Sequence, residues 1–355
     1  MRTPLLVRPT AALALAGALA LSACGSSDSQ TATTSGSDTL SVGVGYFQSA
    51  TTGPEVVVAG NDDLSSKVDG TLKLTPIDSG VAGLAELRGG AFPFVSGVGN
   101  PPVVGAIAND TKLKVVFAEY FDAAQLVVPP SVKTDADLVG KSIGALQGSS
   151  EDFEIRGWLS TKGLTGKTKV VGFPSEAAIA AAYKSGRIDA GYVEIAQALD
   201  LEKTKGARQV VTAQQIAELG FPSLNVLAVT DDFAAEHRAV VQQVVCQVLK
   251  AQTRVAGAKG DTYITNAGKL VGATPEQAIP ATKVLPFVPA DQQLSWFKDS
   301  PTGDLTTGRI AKAYALTAQF LKDQGRVPTV PTSAQIAAHL DSSYVEQALK
   351  DGCGA

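Results

Sequence analysis

Histidine is nearly missing from this 355-residue chain: there are two, beside three cysteines, one methionine and two tryptophans. Neither His237 nor His339 has a nucleophile or metal-ligand partner at motif spacing, so histidine-based triads and metal sites have nothing to build on. His237 follows Phe233-Ala234-Ala235-Glu236 at a charged helix start, and His339 sits in Ala337-Ala338-His339-Leu340. Both read as surface or packing residues. Basic clusters interleaved with aromatics are also missing, which argues against a nucleic-acid partner. Gly-Lys-Ser occurs at 140–142, but the position five before Gly140 is Asp135, and a strand pattern follows where a phosphate loop needs a helix. No repeat of 20 to 50 residues is present. No motif calls for a cofactor or a resident metal.

Hydrophobic residues make up 45% of the chain and charged residues 18%, which suits a globular protein with a substantial core. The length suits two ordinary domains or one bilobal unit. The N-terminus carries Arg2, Arg8 and a small-apolar run from Ala11 to Leu21, too short to span a bilayer stably. The run ends in Leu21-Ser22-Ala23-Cys24, which resembles the lipobox of bacterial lipoproteins. The resemblance implies a signal peptide over 1–23 and a lipid on Cys24, placing the protein on the outer face of the cytoplasmic membrane. An ordinary secretory signal with a chance cysteine is the alternative. No later apolar run approaches spanning length, so the lipid would be the membrane anchor. Loss of the leader takes the formal charge from -4 to about -6. Residues 24–38 are rich in Ser, Thr, Gly and Asp and read as a flexible tether. Cys246 and Cys353 are then the remaining thiols in an oxidising compartment. They are expected to pair and staple the C-terminal tail to the helix carrying Cys246, the alternative being two unrelated thiols.

From Thr39 onward, strand and helix patterns alternate with short joints. Thr39 to Val44 alternates as a strand, Leu72 to Ile77 is a second, and Pro93 to Gly97 a third. Gly89-Gly90 closes the helix that Asp78-Ser79-Gly80 opens. A second cycle follows Gln125 to Pro130, with strands at Lys169 to Gly172 and Ala190 to Val193. From Asp231 the pattern is largely helical, with Val240, Val241, Val244, Val245 and Leu249 at helical spacing. The alternation predicts an α/β architecture on mainly parallel sheets.

Asp78-Ser79-Gly80, Asp137 to Ile143, Ile188 to Val193, Gly220 to Val226 and Thr317 to Pro328 occur in an order that resembles solute-binding lipoproteins of the taurine, aliphatic-sulfonate and nitrate importers. The likeness runs from about Thr39 to Val345 and is greatest to the taurine-binding branch. It implies a two-lobed periplasmic-binding-protein-like fold of type II, with ligand in the interlobe cleft and two crossing strands as the hinge. The crossings read as Leu126-Val127-Val128 and Val226 to Val229. Lobe 1 would then comprise 39–127 and 228–355, and lobe 2 residues 128–227. The resemblance also implies a monomer that works with an ABC permease and its ATPase.

In such folds ligands sit at the carboxyl ends of strands, where helix N-termini offer unpaired N–H groups. Gln48, Asn100, Ser149 and Ser150 occupy such positions, the two serines doubling as helix caps. Several positions depart from the family. Glu194 stands where an aromatic is usual after Tyr192-Val193, and Asn225 replaces an acid before the second crossing. Glu151 and Asp152 are gained acids, and Glu119 ends a lobe-one strand. A carboxylate facing the cleft needs a cation, from the ligand or from an arginine such as Arg156. Tyr192 supplies either a phenol or core area. The first expectation for the ligand is an amino-sulfonate such as taurine, with its anion at Asn100, Ser149 and Ser150 and its amine at Glu194. The second is a more cationic nitrogen compound. The third is an enzyme of the thiamine-pyrimidine type, which the same fold serves; it calls for histidine and a cysteine cluster that this chain lacks.

Overall fold

The computed structural model describes residues 39–204 and 206–355. The signal peptide over 1–23, the lipid anchor Cys24 and the tether over 24–38 lie outside the described residues. Ten strands form two five-stranded sheets. They are β1 (Ser41–Phe47), β2 (Thr71–Ile77), β3 (Phe94–Val98), β4 (Leu113–Phe121), β5 (Gln125–Val128), β6 (Ser142–Leu146), β7 (Lys169–Phe173), β8 (Ala190–Val193), β9 (Arg208–Thr212) and β10 (Leu224–Thr230). The first sheet has the order β2-β1-β3-β10-β4, the second β7-β6-β8-β5-β9.

The two sheets share one plan. Three neighbouring strands run parallel in each, β2-β1-β3 and β7-β6-β8. A strand from the far side of the sequence then inserts antiparallel: β10 between β3 and β4, and β5 between β8 and β9. Pro76 falls in the edge strand β2, where a missing N–H costs no inner ladder bond.

The chain changes sheet at 122–124 and again at 219–223. Both points lie earlier than the boundaries at 127/128 and 227/228 expected from sequence. The apolar runs read as crossings are the paired, buried bodies of β5 and β10. Crossing segments bridge two units and need little apolarity, so hydrophobicity marks the strand beyond the joint rather than the joint itself.

Side-chain alternation explains the cores. Leu126, Val128 and Tyr192 pack with Trp158 and Ile155 on one face of the second sheet, while Val127 and Val193 pack with Ile179 and Leu201 on the other. Such strands are buried on both faces and therefore read as continuous apolar runs. The first lobe is larger because the C-terminal helices join it. The helix Arg238–Ala256 buries Val240, Val241, Val244, Val245, Val248 and Leu249. A disulfide joins Cys246 on this helix to Cys353, with Cα atoms 5.3 Å apart.

Candidate functional site

A cavity of about 230 Å³ lies between the two sheets. The first lobe contributes Phe47, Gln48 and Ser49 beyond β1, Asp78 beyond β2, and Tyr120 from the end of β4. The second lobe contributes Ser149, Ser150 and Glu151 at the start of the helix Ser150–Thr161, and Ser175 and Glu176 at the start of Glu176–Lys184. It adds Glu194, just before Ile195–Glu202. Asp122 and Asn225 belong to the crossings or their margins.

Of the residues expected from sequence, Gln48, Ser149, Ser150, Glu194 and Asn225 line this cavity, together with Glu151. Four others do not. Asn100 is fully buried and acts as a brace at the second crossing: its amide donates to the Pro222 carbonyl at 2.8 Å and accepts from Leu224 N at 3.2 Å. Glu119 is also fully buried, because its neighbour Tyr120 takes the cleft-facing side of β4. The Ser96 hydroxyl and Gly97 N–H both donate to it at 2.6 Å. Asp152 points away from the cavity toward Arg156 and Arg326, with 2.5 Å contacts to each. Tyr192 lies in the lobe-two core and donates its phenol proton to Glu154 at 2.7 Å.

Sequence reasoning missed Asp122, Glu176, Asp78 and Tyr120. Glu176 looks like an ordinary acid in a first helical turn. The signal that marks it is position: Phe173-Pro174-Ser175-Glu176 ends a strand and opens a helix at the same edge as Glu151 and Glu194. Asp122 opens the true crossing, which sequence placed further on.

Among the described residues, no Lys, Arg or His lines the cavity. Asp122, Glu151, Glu176 and Glu194 therefore have no matching charge beside them, and desolvation holds them protonated over part of the ordinary pH range. Burial raises Glu151 to about 8, helped by the nearby Asp122. Glu194 rises to about 7 for the same two reasons, with the Ser49 hydroxyl of the opposite lobe working against the shift. Asp122 rises to about 6, moderated by the Ala124 N–H that donates to it at 2.9 Å. Glu176 is pushed well above the usual range by burial and by Glu151 and Glu194. One oxygen of Glu176 accepts from Glu194 N at 3.1 Å, while the other is buried with no hydrogen-bond partner. The Ser149 hydroxyl sits beside Glu151 but gives its proton to the Leu146 carbonyl at 2.7 Å. Among the described residues, no three His, Cys, Asp or Glu side chains converge as a metal site.

Two glycines let the walls meet. Gly97 has φ of 71°, and a Cβ there would lie 2.8 Å from the Tyr120 hydroxyl. A Cβ on Gly99 would lie 1.8 Å from Ser150 Oγ, so any side chain there would wedge the two lobes apart.

Residues 35–265 match the NMT1-like family. The chain belongs to that family. A curated relative of this NMT1-like protein is the taurine-binding periplasmic protein of Escherichia coli K12, 27% identical over 82% of this chain and 89% of that one. Among solved structures, the alkanesulfonate-binding protein SsuA of Xanthomonas axonopodis pv. citri, bound to MOPS, has a TM-score of 0.66 at 19% identity. That match covers 85% of the NMT1-like chain and 98% of SsuA. The desulfurization enzyme DSZB has a TM-score of 0.55 at 14% identity, over 88% of this chain and 99% of that one. The fold is thus that of periplasmic solute-binding proteins, and it also occurs in an enzyme.

Proposed function

We propose that this NMT1-like protein is the extracytoplasmic solute receptor of an ABC importer and that its ligand is a small organic cation. The observation that carries the cationic reading is the set of five carboxyls, Asp78, Asp122, Glu151, Glu176 and Glu194, lining a cleft to which the described residues contribute no basic side chain. A ligand bearing ammonium or guanidinium N–H groups supplies the charge and donors that these carboxyls lack. Phe47 and Tyr120 on the opposite wall offer apolar surface and aromatic faces to the cation's carbon skeleton.

Capture proceeds by closure of the lobes about 122–124 and 219–223, and the closed form then docks on a membrane permease. A lipid on Cys24 holds the protein beside that permease, and the receptor acts as a monomer. Binding is the whole chemistry proposed.

A second reading is taurine or a related amino-sulfonate, favoured by the E. coli relative and by three helix N-termini at the cleft. Those termini suit an anion. However, Glu151, Glu176 and Glu194 stand at the same three helix starts and oppose one, which places the organic cation first.

Thermal-shift screening against taurine, alkanesulfonates, nitrate, amino acids, amines and guanidinium compounds decides between the readings. A ligand at a hundredfold excess over its dissociation constant raises stability by about 2.7 kcal/mol. Amines or guanidinium compounds are expected to give that shift, and Glu194→Gln to reduce it. A shift with taurine alone would sink the cationic reading.

A further inference from the structure

The lobes meet beside the crossings and again at the far lip of the cleft, and the two contacts are built differently. At the lip, the helix Pro275–Lys283 of the first lobe faces Glu176–Lys184 and Ile195–Glu202 of the second across a gap of about 650 Å³. Ala50, Pro280 and Ala281 line the gap from the first lobe, Ala177, Ala181 and Ala196 from the second. Charged groups there pair within their own lobes, Lys184 with Asp200 and Lys283 with Asp261.

Beside the crossings the contact is close. The first turn of the helix Ser150–Thr161 is buried throughout, from Ser150 to Glu154. Arg326, just beyond the first-lobe helix Arg309–Asp323, reaches across to the Asp152 carboxylate at 2.5 Å. Among the described residues this is the one ion pair that joins lobe to lobe. Phe153 packs edge-on against Phe320 of that first-lobe helix at 4.9 Å and against Phe221 of the second crossing at 5.6 Å. Asp122 N–H donates to the Ser223 carbonyl at 3.2 Å, so the two crossings are bonded to each other.

A hinged body moves least near its axis, and these contacts place the axis along the crossings and the helical turn beside them. Resting on the lobe closure described above, we propose that Arg326 is a positioning residue that pins this turn to the first lobe. Ser149, Ser150 and Glu151 then keep their place against the first lobe when the cleft opens, while Glu176 and Glu194 swing away with the lip. The open protein keeps a standing subsite for first contact with the ligand, which Glu176 and Glu194 complete on closure. Asp152 also holds Arg156 of its own helix. Removing Arg326 therefore cuts the tie between lobes without leaving a bare buried charge.

Two spin-label pairs on the ligand-free full chain test this by their distance distributions. The labels sit on encoded unnatural residues, so the Cys246–Cys353 disulfide stays intact. A pair at the exposed Lys184 and Glu276 spans the lip, and a pair at the exposed Lys167 and Gln324 spans the pinned side. The lip pair is expected to give a broad distribution and the pinned pair a narrow one. Arg326→Ala should broaden the pinned pair by several ångströms, and Arg326→Lys should narrow it again, with thermal unfolding confirming that both variants are folded. Broad distributions at both pairs in the natural chain, or a pinned pair that Arg326→Ala leaves narrow, would overturn the pin. Narrow distributions at both pairs would instead overturn the lobe closure on which it rests.

Discussion

Glu55 and Glu119 of the first lobe are buried behind the cleft wall, where Ser96 and Gly97 supply Glu119 with two donors. Glu151, Glu176 and Glu194 of the second lobe stand in the wall itself, facing open space. The sheets that carry them have the same strand plan. A shared topology has therefore been given two tasks. The second lobe contributes most of the cavity's acids, and the first contributes Phe47, Gln48, Ser49 and Tyr120 with a single acid, Asp78. Burial alone therefore does not mark a cleft carboxylate; position in the cavity wall does.

The lobes also differ in how they are held, and the largest expected effect comes from breaking that difference. The disulfide closes a separation of 107 residues within the first lobe. Cys353→Ser is expected to lower its unfolding free energy by about 4 kcal/mol, read by urea denaturation. A loss below about 1 kcal/mol would mean that the helix Arg238–Ala256 and the tail hold together by packing alone.

Two consecutive residues sharpen the comparison next. Asp152 is 1% exposed and touches Arg156 and Arg326, whereas Glu151 beside it has no cation. Asp152→Ala should cost about 2–3 kcal/mol, less than for a fully buried pair because both arginines reach solvent. Glu151→Gln should leave the ligand-free protein as stable as before, or more so, while weakening ligand. Equal destabilisation by both would erase the distinction between a structural and a ligand-facing acid.

The smallest expected effect is a pH dependence. Glu55 is raised by burial to about 7, and Glu119, Glu151 and Glu194 to about 8, 8 and 7, from an ordinary value of 4.5. The native state therefore holds more protons than the unfolded chain between those values. Their contribution to stability is fully present below about pH 4.5 and is lost as pH rises through about 7 to 8. The ligand-free Tm should fall by a few degrees from pH 5 to pH 8, and Glu119→Gln should flatten the slope. Affinity for an organic cation should move the other way, rising as the cleft carboxyls ionise. A flat affinity over this range would remove those carboxyls from the binding site.

Much of the architecture was legible because it rests on local pattern. The alternation of strand and helix patterns marked the α/β layers; Gln48, Ser149 and Ser150 were singled out by the rule that ligands meet strand ends, and Glu194 and Asn225 by their departure from the resembled family. The failures at Glu119, Asp152 and Tyr192 share one physical cause. Side chains along a strand alternate between faces, so Glu119 lies in the core while Tyr120 beside it lines the cleft, and Tyr192 and Val193 enter cores on opposite faces of the second sheet. Sequence cannot fix that phase until the register is known. Helix phase has the same effect on Glu151 and Asp152. Asn100 was placed correctly at a helix start, yet its side chain turns back to brace Pro222 and Leu224 instead of reaching the cavity.

The position of β10 has a consequence for how the protein is made. That strand lies between β3 and β4, so the first sheet is left with a gap at its centre until the entire second lobe has emerged. Pairings so distant along the chain close slowly, and β3 and β4 meanwhile expose unpaired edges. Synthesis thus leaves the first sheet unfinished while the second sheet, β5 to β9, is already complete. A circular permutant that brings β10 next to β4 should fold faster than the natural order.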